Sequence, residues 1–403
     1  MLFGNLAEKD RSALRVLMVT GALAFAAVAI PYLAAVNWHG AFPRDGIGSL
    51  VGRDFLNFWM YGRAAWHGDP ARFYDVTTYN NFLRAAFGAD LPLQDWSYPP
   101  HLLLVAAPFG LIGYLPALVL WLALTAGIFC FAAVRQTGGF AVPVLILIGP
   151  AAIVCLICGQ SSYLTTAALI AVFATLDRRP LIAGVLIGLL TLKPQLGLLI
   201  PVMLIASGRW NVLAAATVAT AVLVAASAAL FGWNVWQAWL TAGLHEQALI
   251  LRDTHIRSLL MIPTTYMNLH VLGASYPLAM GAQAIVTLLS GATVFWAFRH
   301  RASADPLVLQ ALFFACAAAA TPYLMCYDAM PLGYAAVALL AADKLDQDGR
   351  RLAQLCYWLA FIQMALGMFH TPGAALIPIA FAIYLVRRLR GVNAPGRLEA
   401  APA

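Results

Sequence analysis

Charged and hydrogen-bonding side chains are few in this chain, and several sit beside long apolar runs, where a polar group is costly and asks for a reason. They fall at Arg53-Asp54, Tyr98-Pro99-Pro100-His101, Gly159-Gln160-Ser161-Ser162, Lys193-Pro194-Gln195, Arg252-Asp253-Thr254-His255-Ile256-Arg257, Tyr323 to Asp328, and His370. Asp54 follows an arginine and precedes an aromatic segment containing Phe55, Phe58, Trp59 and Trp66. A carboxylate held there can take the proton of a hydroxyl nucleophile. It can equally cap the helix that begins at Phe55 by accepting free backbone N–H groups.

Lys193 lies between two apolar stretches, where a fixed ammonium suits a phosphate at headgroup level or a lysine snorkelling from a helix end. Arg257 and His255 can add phosphate donors, and His255 can alternatively serve as a general acid or base. Gln160 and Gln195 can hydrogen-bond a sugar or a headgroup, or join helices through their amides. Asp328 follows the break at Thr321-Pro322 and reads either as a second carboxylate in a cavity or as a helix cap. Tyr98, His101 and Tyr327 complete the candidate substrate-binding set.

These residues are embedded in a chain of 403 residues that is 62% hydrophobic and only 10% charged, with a mean hydropathy of +0.81. Soluble domains carry roughly 25% charged residues, so a water-soluble fold is excluded. Blocks such as 212–230 are apolar on nearly all faces, which points to an all-α polytopic membrane protein and away from a barrel of alternating strands. The net charge of +7 comes with no nucleic-acid-binding motif, and the basic residues sit at the ends of apolar runs. No nucleic-acid partner is expected. The six cysteines lie in or beside apolar runs, so Cys155 and Cys158 read as packing residues and no disulfide framework is expected.

About twelve spans are expected, near 14–36, 114–134, 139–157, 161–176, 180–192, 194–207, 211–231, 277–297, 305–321, 328–342, 351–369 and 372–387. The first follows a basic start and is too long for a cleaved secretory segment, so it reads as a retained signal anchor. Pro194 interrupts the 180–207 block and both its flanks are basic, which fits two short legs meeting at Lys193-Pro194-Gln195. A cytoplasmic N-terminus puts most of the 24 Lys and Arg residues inside and the polar clusters outside.

A single multispanning domain, 1–390, is expected, with external loops 37–113 and 232–276 and a cytoplasmic tail, 391–403. Within the first loop the aromatic spacing predicts an interfacial helix with its rings toward lipid or bundle. A second short helix is expected after Asp75, and a half-inserted or interfacial one over 101–112.

The chain holds no phosphate-binding GxxxxGK[ST], no GxGxxG after a strand, no HExxH and no GxSxG. Nucleotide-driven transport and common hydrolase chemistry therefore lack their parts. Asp54, Gly68-Asp69-Pro70 with Tyr74-Asp75, Tyr98-Pro99-Pro100, Trp121, Gly159-Gln160, Ala183-Gly184 leading to Lys193-Pro194-Gln195, and Arg209-Trp210 together resemble glycosyltransferase family 87. The resemblance runs from about residue 50 to about residue 345.

What it implies is a GT-C type fold that takes a hexose, mannose in the first instance, from a polyprenyl-phosphate carrier. Transfer would pass with inversion to a lipid or glycan acceptor on the periplasmic face of the inner membrane, both termini being cytoplasmic. By that resemblance Asp54 corresponds to the catalytic base, and Lys193, Arg257 and His255 would hold the donor phosphate. No cofactor and no metal are expected, since no compact Asp/Glu/His ligand set is visible. The rival class is a secondary transporter or lipid flippase, which would show paired repeats and ionisable residues at mid-membrane.

Overall fold

A computed structural model describes residues 8–252, 260–300 and 304–391. Among these residues there is no strand; isolated bridges from Arg44 to Asn37 and to Leu50 tie down the segment after the first helix. Helix starts follow the local chemistry. Pro150, Pro180 and Pro306 open helices at the first position, where a missing N–H costs nothing. Asp75, Asp305 and Asp346 cap theirs by accepting backbone N–H groups.

A helix stands at the place of every expected span, but its length often differs. Four helices are long and apolar enough to cross a bilayer: Ser12–Ala35, Tyr114–Thr137, Trp210–Phe231 and Tyr276–His300. A fifth candidate, Ala141–Leu147 with Pro150–Cys158, bends by 56° where Gly149 and Pro150 interrupt the ladder. Helix length alone thus supports four or five spans among the described residues, fewer than the twelve expected from hydropathy. Legs such as Pro180–Leu190 and Pro306–Ala320 have 11 and 15 residues, whereas about 20 are needed to cross about 30 Å of hydrocarbon. The 180–207 block divides as its proline and charges indicated: Pro180–Leu190, a 3-10 turn Pro194–Gly197, then Ile200–Ala206.

Two hydrophobic cores result. The larger joins the apolar helices, with Ala311 to Ala320 and Leu332 to Leu340 at its centre. The smaller is aromatic and carries Phe55, Phe58, Trp59, Tyr61, Trp96 and Trp121. The expected helix after the first span is Phe55–His67. Its Phe55, Phe58 and Trp59 turn inward onto the protein while Trp66 stays exposed.

That helix packs on Leu103–Gly110, which the sequence placed as a helix within 101–112. The crossing is close because Gly62 and Gly110 face each other; a Cβ on either would overlap the partner's backbone. The second expected helix is Val76–Phe87, capped by Asp75. The two long connections, 37–113 and 232–276, share this core, since Val235 of the second is buried in it and Trp239 Nε1 donates to Ser97 O at 3.0 Å.

Candidate active site

Asp54 is placed by an unusual turn. Arg53 adopts φ +37°, a left-handed conformation that costs a non-glycine residue of order 1–3 kcal/mol. Its guanidinium swings toward Asp45, with Nε donating to Asp45 Oδ2 at 2.8 Å. Arg53 is therefore engaged with Asp45, and the two side chains of the Arg53-Asp54 pair have separate partners.

Asp54 itself has helical angles, φ −65° and ψ −21°, and its carboxylate makes no capping hydrogen bond to the helix it precedes. Capping does not explain this residue. Its Oδ2 accepts instead from Gln160 Nε2 at 2.8 Å and from Tyr327 OH at 3.4 Å.

Gln160 reaches Asp54 because Gly159 permits it. Gly159 ends the helix Pro150–Cys158 with φ +61°, and a Cβ there would come within 2.8 Å of Gly52 O and press on Phe55. Trp121 Nε1 donates to Gly159 O at 3.1 Å, and Cys155 Sγ donates to Gln160 O at 3.2 Å. The thiol thus packs and hydrogen-bonds, as expected of a small buried residue.

Behind Gln160 lies a buried ion pair. Lys193 Nζ donates to Asp328 Oδ1 at 2.8 Å and to Gln160 Oε1 at 3.1 Å, and Ser162 Oγ donates to the same Asp328 oxygen at 2.8 Å. Lys193 is only 2% exposed, which rules out snorkelling. Its ammonium also lies 5.0 Å from the Tyr327 ring centroid, within cation–π reach. Tyr98 OH donates to Gln160 Oε1 at 3.2 Å. Burial pushes the Tyr98 phenol above its ordinary pKa and outweighs the opposing Lys193 charge, so it keeps the proton it donates.

A cavity of about 370 Å³ opens against this network. Of the residues singled out from sequence, Asp54, Tyr98, Gln160, Gln195, Tyr327 and Asp328 line it. Lys193 does not; it stands one side chain behind the wall. His101 does not either: it is 3% exposed, its Nε2 lies 3.1 Å from Thr191 Oγ1, and its ring stacks on Trp236. His370 is exposed and takes no part in the lining. His255 and Arg257 lie outside the described residues, on the segment between Leu251 and Ile262, both of which line the cavity.

Sequence reasoning missed Asn57, Asp95, Ser97, Trp239 and Gln247 on the wall. Asp95 was legible, being ionisable and three residues before Tyr98. Trp239 and Gln247 carry no local signal, because only the docking of the second long connection brings them in. The cavity lining is two-natured: it holds carboxylates, amides and hydroxyls, Asp54 among them, together with the apolar Leu192, Leu198, Leu244, Ile250 and Met325. It can take a hydroxyl-rich group and an apolar chain together.

The pattern of Glycosyltransferase family 87 matches residues 96–327, more than half of the chain. The chain belongs to glycosyltransferase family 87. No curated protein and no solved structure matches it. As a family 87 member it is a sugar-transferring enzyme, and its apolar helices make it a multi-pass membrane protein. The matched stretch includes Tyr98, Gln160, Lys193, Gln195 and Tyr327. It begins at Trp96, downstream of Asp54, and ends one residue before Asp328, so it is shorter than the motif resemblance, which starts near residue 50.

Proposed function

We propose that this family 87 enzyme transfers a hexose, mannose in the first instance, from a polyprenyl-phosphate carrier to a lipid or glycan hydroxyl, with inversion and with Asp54 as general base. The observation that carries the reading is the Asp54 carboxylate: it lies on the cavity wall, makes no capping bond, and is held from behind by Gln160. In the step, the acceptor hydroxyl gives its proton to Asp54 while its oxygen forms a bond to the anomeric carbon. The bond from that carbon to the phosphate oxygen breaks, and the carrier phosphate leaves with the electron pair. The phosphoester supplies the driving force, so no nucleotide is required.

The apolar lining residues suit the first part of the isoprenoid chain, and the carboxylates and amides suit the sugar and acceptor. Arg257 and His255 are the phosphate donors in this reading, since among the described lining residues there is no Lys, Arg or His. Lys193 lends the site positive potential from behind the wall; its ammonium is already engaged with Asp328 and Gln160. The short apolar helices complete about twelve membrane passages of a GT-C type fold. The cavity faces the periplasm from the inner membrane, and both termini are cytoplasmic.

The test is transfer from radiolabelled polyprenyl-phosphate mannose in native membranes. Asp54→Asn is expected to lower kcat by a factor of about 10² to 10⁴, the usual worth of general base catalysis, while leaving folded protein. Transfer at the wild-type rate by that variant overturns the assignment of Asp54.

A further inference from the structure

We propose that Gln160 is a positioning residue for Asp54, and that the buried Lys193–Asp328 pair acts on the reaction by locking the orientation of the Gln160 amide. The proposal rests on Asp54 being the base. A glutamine amide can sit in either of two orientations that exchange its oxygen and nitrogen. Here the surroundings allow one. Lys193 Nζ, at 3.1 Å, is a donor only, so the group that faces it has to accept, and the Tyr98 hydroxyl donates to the same oxygen at 3.2 Å. Ser161 N, at 3.4 Å, aims a further N–H at the same oxygen.

The amide NH2 is thereby turned toward Asp54 Oδ2, 2.8 Å away, and an ionised carboxylate can only accept. The reverse orientation would set NH2 against the ammonium and C=O against the carboxylate. Both contacts would be repulsive.

Asp328 makes this arrangement durable. It holds the Lys193 ammonium at 2.8 Å, and Ser162 Oγ fixes the receiving oxygen. A buried ion pair is by itself weak evidence for stability, because desolvation offsets much of the attraction. Its retention next to the proposed base is accounted for if the pair orients the group that holds that base. The groups facing Gln160 come from the Tyr98 segment, the 3-10 turn at Lys193, the turn at Ser161 and the helix start at Asp54, so the amide is constrained from every element around it.

Two variants test this in the full-length protein in native membranes: Gln160→Leu, and the charge-free double variant Lys193→Met with Asp328→Asn, which leaves no unpaired buried charge. With radiolabelled polyprenyl-phosphate mannose, each is expected to lower kcat by about 10- to 100-fold with KM within about threefold, the worth of a hydrogen bond to a charged group. Combining all three substitutions is expected to lower kcat little beyond Gln160→Leu alone, because the pair acts through Gln160. Multiplying effects, or a double variant with wild-type kcat, overturns the proposal.

An infrared measurement needs no substrate. The Asp54 carboxylate band, assigned by its loss in Asp54→Asn, is expected to shift in Gln160→Leu and in the same direction in the double variant. A band unmoved in either sinks the inference. If Asp54→Asn keeps full transfer while the band shifts as expected, the positioning stands and the assigned base falls.

Discussion

The two sides of the cavity are built by different means. The aromatic side, which presents Asp54, rests on large rings, several of whose polar atoms are tied to backbone carbonyls. Trp59 donates to Ile112 O, Trp66 to Ala107 O, Tyr74 to Tyr98 O and Trp239 to Ser97 O. The bundle side, which presents Asp328 with Lys193 behind it, is packed from small residues: a Cβ on Gly184 or Gly188 would press on Ala215 or Ala219 of the neighbouring helix. Among the described residues its buried charges are tied as one ion pair, Lys193 with Asp328. The aromatic side distributes its order over many hydrogen bonds of roughly 1 kcal/mol each. The bundle side concentrates it in a pair whose halves are worth little apart.

That contrast can be broken at its most concentrated point. Lys193→Met alone strands the Asp328 carboxylate at 3% exposure, and is expected to destabilise the protein by about 3–5 kcal/mol. Thermal unfolding in detergent measures it, and adding Asp328→Asn should restore most of the loss. A Lys193→Met protein as stable as wild type would show that the pair is not the bundle's anchor.

At the seam between the two sides, Gly159→Ala is expected to cost about 2–4 kcal/mol. It combines a left-handed backbone with a Cβ that meets Gly52 O and Phe55. Transfer activity should fall with it, because Gln160 moves away from Asp54. The smallest effect is expected on the aromatic side, where Trp66→Phe removes one N–H donor to Ala107 O, for about 0.5–1.5 kcal/mol and little change in transfer. A loss there as large as at Lys193 would erase the distinction.

Much of the frame was legible before any coordinates. Hydropathy placed a helix at every expected span, and Pro194 split the 180–207 block where its charges indicated. Helix lengths were less legible, since a run of apolar residues does not say whether the backbone stays straight, and Ala141 to Cys158 bends by 56° within one such run. Asp54, Tyr98, Gln160, Gln195, Tyr327 and Asp328, singled out from their polarity beside apolar runs and from the motif resemblance, line the cavity. His101, marked by the same reasoning, packs on Trp236 and Thr191 instead. Polarity at an apolar depth says that a side chain needs a partner; it does not say whether that partner is a substrate or another residue.

The sequence by itself determined a membrane-embedded, helical chain with a set of polar residues confined to a few turns, because hydropathy and helix breakers act over neighbouring residues. Tertiary structure alone decided the pairings: Asp54 with Gln160 across 106 positions, Lys193 with Asp328 across 135, and Arg53 drawn off to Asp45. Those choices turn on which groups meet at 3 Å once two cores are packed, and there a buried charge takes whichever partner the fold supplies.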